Sequence, residues 1–587
     1  EVNEEGGIKP GTIVSLLGDV AGIQTQQTSA TTGNTDLRIQ GLQGRYTQIL
    51  RDGMPLFGGY SGSFSIMQIP PADIKQVEII KGASSTLYGG GAIAGLINLV
   101  SKKPVQGKFE KNLLLNQTSL NETNANLYLS NRKNKTGFTF YTGINFQKQA
   151  DVDKDNYSDL PRTNSFFIHP RLFIYPNTAQ TITIGYTGTF ETRRGGYMPA
   201  ITQKNSVQYY SENKTVRNGL DAEWENRINS KTKLNIKGNG TFFNRNISTN
   251  VFGMKARQLF WFTEASLLRK EKYHDVVMGV NFSGDDFKKQ EPDSSQINNY
   301  NFQTIGFFLQ DDWRIHPKFI VEAGVRWDHH NHYGSFLLPR ISLLYKINPS
   351  WSTRLGGGLG YKIPSLFNSE IDERDYKFLL PFTSIKPEKS EGINWDVNFK
   401  KNMGDVELII NQSFYITQIN SPITSTVLTG NQIHFKNEAK PLATKGFETY
   451  VQVNYKSADA YLGYTYTMAK KEYDQVQPYL SLSARNKFAA VIANEFSSHF
   501  RAGIEASYTG KQYLDNGNIT PSFLFAAAMV RYDIKHLTFV LNCENLFDYR
   551  QNKTRSIVSG NSNNPVFQQI WAPLDGRVVN FSVQLRW

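Results

Sequence analysis

Cysteine is almost absent: Cys543 is the only one in 587 residues. A lone thiol closes no disulfide within the chain and completes no thiolate metal site, so on a strand it reads as a packing residue. Methionine is sparse at eight residues, without M-x-x-M or H-x-M groupings, which argues against a soft copper site. No apolar run approaches the roughly 20 residues of a membrane-crossing helix. No Lys/Arg-rich run interleaved with aromatics is present, which argues against nucleic acid. Nine histidines and many acids guarantee chance Ser/His/Asp triples, but none stands in a motif, so an enzyme is not expected. The turns Asp52-Gly53-Met54 and Tyr88–Gly91 are not phosphate loops, because neither opens a helix carrying a Lys-Ser/Thr pair. No leader peptide opens the chain, which therefore reads as a processed or trimmed form.

What is present is alternation. Aromatics make up 13% of the chain, with 29 tyrosines and 47 glycines. From about Gly107 onward, polar and apolar residues alternate with period two, broken by turn residues every ten or so positions. In Thr181–Phe190, Ile182, Ile184, Tyr186 and Phe190 share one face, and Thr181, Thr183, Thr187 and Thr189 the other. Near the end, Val579, Phe581, Val583, Leu585 and Trp587 alternate with Val578, Asn580, Ser582, Gln584 and Arg586. One greasy and one wet face, repeated this often, suits a transmembrane barrel. A soluble sandwich or propeller also alternates, but leaves the stretch Leu37–Pro104 and the closing aromatic unexplained. A net charge of +13 can draw anions toward a pore mouth or pair with phosphates of an outer leaflet.

Leu37–Pro104 organises the rest. Asp52-Gly53-Met54-Pro55 is a turn, Val77–Gly82 (VEIIKG) reads as a short buried strand ending in a tight turn, and Ser84–Gly91 supplies small residues for close backbone packing. Leu96–Ser101 is a second β-rich run. Together with Tyr88-Gly89, Ala92, Gly95 and Ile97-Asn98, these strings resemble the DG-x-P, IE-x-I-x-G and YG-x-x-A-x-x-G-x-I-N motifs of the plug of TonB-dependent outer-membrane receptors. Later strings resemble that family in the same order: Gly306–His330, Pro339–Asn368 with its Tyr361–Ser365 box, Ser384–Lys400, Asn437–Glu448, Cys543–Arg550 and the terminal Trp587. The resemblance implies a membrane all-β fold, a 22-stranded antiparallel transmembrane β-barrel occluded by an N-terminal α/β plug. The plug is expected over 1–106 and the barrel over 107–587. Thr12–Leu17 reads as a short helix, Val20–Thr25 as the strand after it with Ala21 in place of the family's proline, and Gln26–Asn34 as a polar loop. The plug reads as N-terminally incomplete, with the segment that contacts TonB absent. About 480 residues shared among 22 strands leave modest extracellular loops. Asn177-Thr178, His316-Pro317-Lys318 and Asn348-Pro349-Ser350 have the look of periplasmic turns.

In the family, two plug arginines pair with two barrel acids. Here those positions are Gln40 and Lys81, with Arg38 two residues earlier as a substitute. Parity turns Asp396 and Glu448 inward, which spares each the cost of a lipid-facing carboxylate. Lysine has no rigid fork for a carboxylate, so this latch is expected to be looser than the family's. At the plug apex, Arg45, Tyr46 and Tyr60 are expected to face outward and touch cargo. Arg193, Arg194 and Tyr197 are expected in an extracellular loop, since Arg and Tyr bind carboxylates, catecholates and aromatic rings. His329, His330 and His332 could ligate a metal or haem iron as neutral imidazoles. Against this, haem receptors place a histidine between two later boxes, and Tyr361–Glu388 contains none.

The resemblance implies import of scarce cargo driven through the TonB–ExbB–ExbD complex, with no intrinsic cofactor and contact with outer-membrane lipids. The expected cargo is an iron chelate, a ferric siderophore first, then haem or cobalamin, with a surface lipoprotein as a further partner. A passive porin-like channel and a signalling receptor are the competing classes.

Overall fold

The computed structural model describes residues 13–587 except 19, 21, 63–65, 83–84, 204–205, 291–294 and 368–370. The expectations placed on Glu1–Gly7, Thr12, Ala21 and Ser84 lie outside the described residues.

Among the described residues, 22 antiparallel strands from Phe109–Thr118 to Val578–Arg586 form one closed barrel. The last strand pairs with the first, from Asn580↔Thr118 to Arg586↔Asn112. Closure leaves no unpaired edge. The alternation sorts as its period demands: Ile184, Phe190, Val579 and Phe581 are exposed on the outside, and Thr183, Thr189, Asn580 and Ser582 are buried inside. Connections at one end are short, from the two residues 134–135 to the five residues 175–179. The three expected periplasmic turns all lie at this end. The longest connections, 363–387, 421–441 and 545–577, lie at the other end.

The N-terminal segment sits inside the lumen. Its sheet runs in the order Met54–Pro55, Thr47–Arg51, Gly95–Ser101, Ile74–Lys81, with the middle pair parallel. Asp52 and Gly53 both have positive φ, 50° and 74°, the backbone of a tight primed hairpin turn that glycine permits. Gly95–Ser101 is the buried centre, lined by Leu96, Ile97 and Leu99. Ile74–Lys81 is not the buried strand its composition implied: it forms the sheet edge, and Ile80 is 37% exposed. A separate hairpin pairs Ile23–Gln27 with Thr35–Ile39, preceded by the helix Val14–Gly18. Ile13, Leu17, Ile23 and Ile39 join the plug to Ile419 and Leu442 of the wall in one core.

Candidate functional site

One wall of the barrel holds the plug through buried charge. Arg51 pairs with Asp73 at 2.6 Å, and Asp73 also meets Nδ1 of His169 on the wall. Arg171 of the wall pairs with Asp52 at 3.0 Å and stands 3.8 Å from Asp221. Lys237 and Asn239 donate to the carbonyls of Gly53 and Pro55, and Gln68 donates to Glu191 and Thr215. Arg217 stacks between Phe57 of the plug and Phe243 of the wall, 4.6 and 4.5 Å from the ring centres. Only about 70 Å³ of cavity remains in this seat. Reading the sequence missed it, because Asp52 looked like a turn residue and nothing local marks its partners.

The opposite wall is loosely filled. Lys81 forms an ion pair with Glu448, whose carboxylate lies against Gly22; Gly22 has φ +75°, and a Cβ there would fall 2.1 Å from Oε1. Gln40 donates to Asn394 at 3.4 Å. Asp396, expected to take a plug base, has no ion-pair partner among the described residues, and its neighbours across the strands are Arg354 and Ser413. Arg38 does not substitute as expected: its Nη1 donates to the carbonyl of Ser481 at 3.0 Å, because Arg38 precedes the turn that brings Gln40 to this wall. Lys487 instead clasps the plug backbone, donating to the carbonyls of Gly18 and Ile23 at 3.0 and 2.7 Å. Beside these contacts runs a cavity of about 1070 Å³, from Leu160 and Trp571 near the long loops to Tyr461 and Arg501 near the short turns.

At the loop end the mouth is covered. Tyr46 donates to Glu388 at 2.7 Å, and Arg45 bonds the same carboxylate at 3.3 Å and the carbonyl of Ile423 at 3.1 Å. Tyr46 is fully buried and the Arg45 side chain 19% exposed, so Arg45 is the part of this pair that reaches solvent. Tyr60, expected at an open apex, is fully buried. Its ring packs edge-on against Phe243, Phe287 and Phe367, because the 363–387 loop folds inward over it. Arg245 and Glu373 fasten that loop through a buried ion pair at 2.7 Å.

A plug seated in a closed 22-stranded barrel matches two family models. Residues 8–96 match the TonB-dependent Receptor Plug Domain, and residues 110–546 match the TonB dependent receptor-like beta-barrel. The chain belongs to the TonB-dependent receptors. It is 24% identical over 557 residues to an iron-regulated outer membrane virulence protein of Vibrio cholerae, spanning 88% of this chain and 83% of that one. It is 23% identical over 394 residues to the vitamin B12 transporter BtuB of Vibrio vulnificus, spanning 64% and 60%. The siderophore receptor PirA of Acinetobacter baumannii shares its fold with a TM-score of 0.78 and 16% identity, over 99% and 96% of the two chains. As a member of this family, the receptor sits in the outer membrane, with the short turns periplasmic and the long loops outside.

Two further expectations change with the receptor's geometry. Arg193 and Arg194 are not in a loop but on the strand Gln180–Gly196, which runs further than its composition showed. Arg193 is buried against Glu191 and the carbonyl of Thr32, and Arg194, half-buried, packs against Glu212 and the Tyr210 ring. Tyr197 does lie in the following loop, with its ring against Tyr157. The three histidines do not meet at one point: the rings of His330 and His332 lie 6.3 Å apart, and His329 is turned away from both. His329 points outward beside Trp327 and His330 inward, since neighbouring strand residues face opposite ways. Nδ1 of His330 already accepts the N–H groups of His332 and Tyr333.

Asp151, Asp153 and Asp159 in the 148–161 loop are the one acidic group among the described residues close enough to share an ion, with oxygens within 4.8 Å. Backbone N–H groups of Val152, Lys154 and Asn156 already bond these carboxylates, and no metal is assigned to them. Burial, followed by the charges of Asp153, Asp155 and Asp151, pushes Asp159 up to about 7 from an ordinary 3.8. Burial and Asp153 push Asp155 up to about 6. A carboxyl raised in the closed loop holds its proton more tightly there than in an opened one. Its contribution is complete below the ordinary value and is lost as pH rises through the raised one. Amide exchange across 151–159, corrected for intrinsic rates, should be slower at about pH 5 than at about pH 8; equal or reversed protection would contradict the assignment.

Proposed function

We propose that the receptor imports an iron chelate, a ferric siderophore before haem or cobalamin, under TonB–ExbB–ExbD drive. The observation that carries the transport half is the plug's asymmetric seating. Buried pairs to His169 and Arg171 fix its sheet to one wall, while on the other Lys81 ties the sheet's edge strand to Glu448 and Lys487 holds the first segment beside a long cavity. Withdrawal of that segment joins the cavity to both ends without unseating the sheet. The division at 106/107 separates the plug, of which the first segment moves, from the barrel, which stays. Lys81–Glu448 and Gln40–Asn394 serve as the latch.

The iron half rests on relatives: the Vibrio cholerae protein is described as iron-regulated and the Acinetobacter baumannii structure as a siderophore receptor. Arg45, partly exposed over the buried Tyr46, offers a cation to an anionic chelate.

All three cargoes are coloured, so the test is a visible spectrum of purified receptor after incubation with each and desalting. A ferric charge-transfer band, weakened by Arg45→Ala, supports the proposal. A Soret band lost on replacing His330 and His332 would put haem first, and a retained corrin spectrum would put cobalamin first. No colour, restored by adding a surface lipoprotein, would move capture to that partner.

A further inference from the structure

We propose that the outer face of the barrel carries a binding site for a phosphorylated glycolipid of the outer leaflet, formed by Lys255, Arg257 and Lys288. The proposal rests on the outer-membrane placement and is independent of the cargo. All three side chains are exposed. They belong to the neighbouring strands Gly253–Lys270 and His274–Gln290.

Register sets the spacing. Arg257 stands directly opposite Lys288, and Lys255 lies two residues from Arg257 on the same face. Directly opposed residues on one face have Cβ atoms about 5 Å apart, and like charges so placed repel. Asp286 answers part of this charge, at 3.1 Å from Lys288. Among the described residues, no carboxylate lies within ion-pair distance of Lys255 or Arg257. The Asn244 and Asn246 side chains, opposite Arg257 and Lys255 on the next strand, add neutral donors.

The position along the strands identifies the anion. Below these bases the outward residues become apolar: Leu259 and Trp261 on one strand and, past Asp286 and Gly284, Phe282 on the other, with Phe242 59% exposed alongside. Trp261 and Phe282 stack at 6.2 Å, 11° from parallel. Aromatic residues of this kind mark the boundary of the hydrocarbon. A phosphate at headgroup height therefore meets the three cations while its acyl chains lie on the ring pair. Arginine's fork suits a phosphate oxygen pair, and lysines add point charge.

Native mass spectrometry of full-length, delipidated receptor in detergent tests this, with bis-phosphorylated lipid A and the same lipid stripped of its phosphates as probes. The wild type should retain the phosphorylated lipid. K255Q/R257Q/K288Q should retain about tenfold less. K272Q/K318Q/K346Q, an equal charge change at the periplasmic end, should match the wild type. Heat-modifiable migration shows that each variant has a folded barrel. Excess inorganic phosphate should not displace the lipid. Undiminished retention by the first variant, equal binding of the dephosphorylated lipid, or displacement by free phosphate would each overturn the proposal. Because no cargo enters the assay, a failed cargo assignment leaves its reading intact.

Discussion

Replacing Lys81 and Lys487 together by alanine should turn a closed barrel into a conducting one. In planar bilayers we expect a steady current from the double variant where the wild type stays silent. Lys81 is the countercharge of Glu448, and Lys487 holds two backbone carbonyls of the first plug segment. Charge-assisted bonds of this kind contribute about 1.5–3 kcal/mol each, and Glu448 would be left buried without its base, a further penalty. The segment that Lys487 holds and the Glu448 carboxylate abuts is short, and short segments open locally at far less than the cost of global unfolding. The Asp73–His169 and Asp52–Arg171 pairs with the far wall are untouched, so the sheet should remain seated. Gly22→Ala should act in the same direction by a different route, through positive φ and a clash with the Glu448 carboxylate. Silence from the double variant would show that the latch lies elsewhere.

Glu373→Ala should release the loop that covers the mouth. The Arg245–Glu373 pair is among the most buried in the molecule, with side chains 1% and 6% exposed. Removing one member of such a pair costs about 3–5 kcal/mol, because the other charge stays buried. Arg245 would keep its bond to Oδ1 of Asn213 at 2.7 Å. At about 1.4 kcal/mol per factor of ten, amide exchange over 371–387 should quicken by about a hundredfold or more. The central plug strand Gly95–Ser101 should exchange as before. Tyr60, now sealed by Phe367, should become accessible, and cargo should associate faster. Glu373→Gln, which can still accept a hydrogen bond, should show a smaller effect. Unchanged exchange in Glu373→Ala would mean that the apolar contacts of Leu366, Phe367, Tyr376 and Leu379 hold the loop alone.

The sequence carried the frame well and the site unevenly, for a physical reason. Period two fixes which face a residue takes, so the lumen position of Glu448 and the outward position of Phe581 were legible from parity alone. The plug motifs were legible because tight turns such as Asp52-Gly53 tolerate few residues. Parity says nothing about which wall the plug leans on. The Asp73–His169 and Asp52–Arg171 pairs join residues about a hundred positions apart, with no local trace of either. Strand length misled at Arg193 and Arg194, because barrel strands continue beyond the membrane without a change of pattern. Tyr60 misled because a glycine-rich tip looks exposed until another loop folds over it. The histidine run misled for the opposite reason: three close in sequence are split between faces by the same alternation that placed Glu448.

Energised import of an iron chelate is the function proposed for the receptor. Its most direct measurement is accumulation of radioactive iron, supplied as ferric siderophore, in cells that depend on the full-length receptor for entry, with and without collapse of the proton gradient. The account predicts accumulation that stops when the gradient is collapsed and that is absent without TonB. Accumulation indifferent to both would contradict it and place the receptor among passive channels.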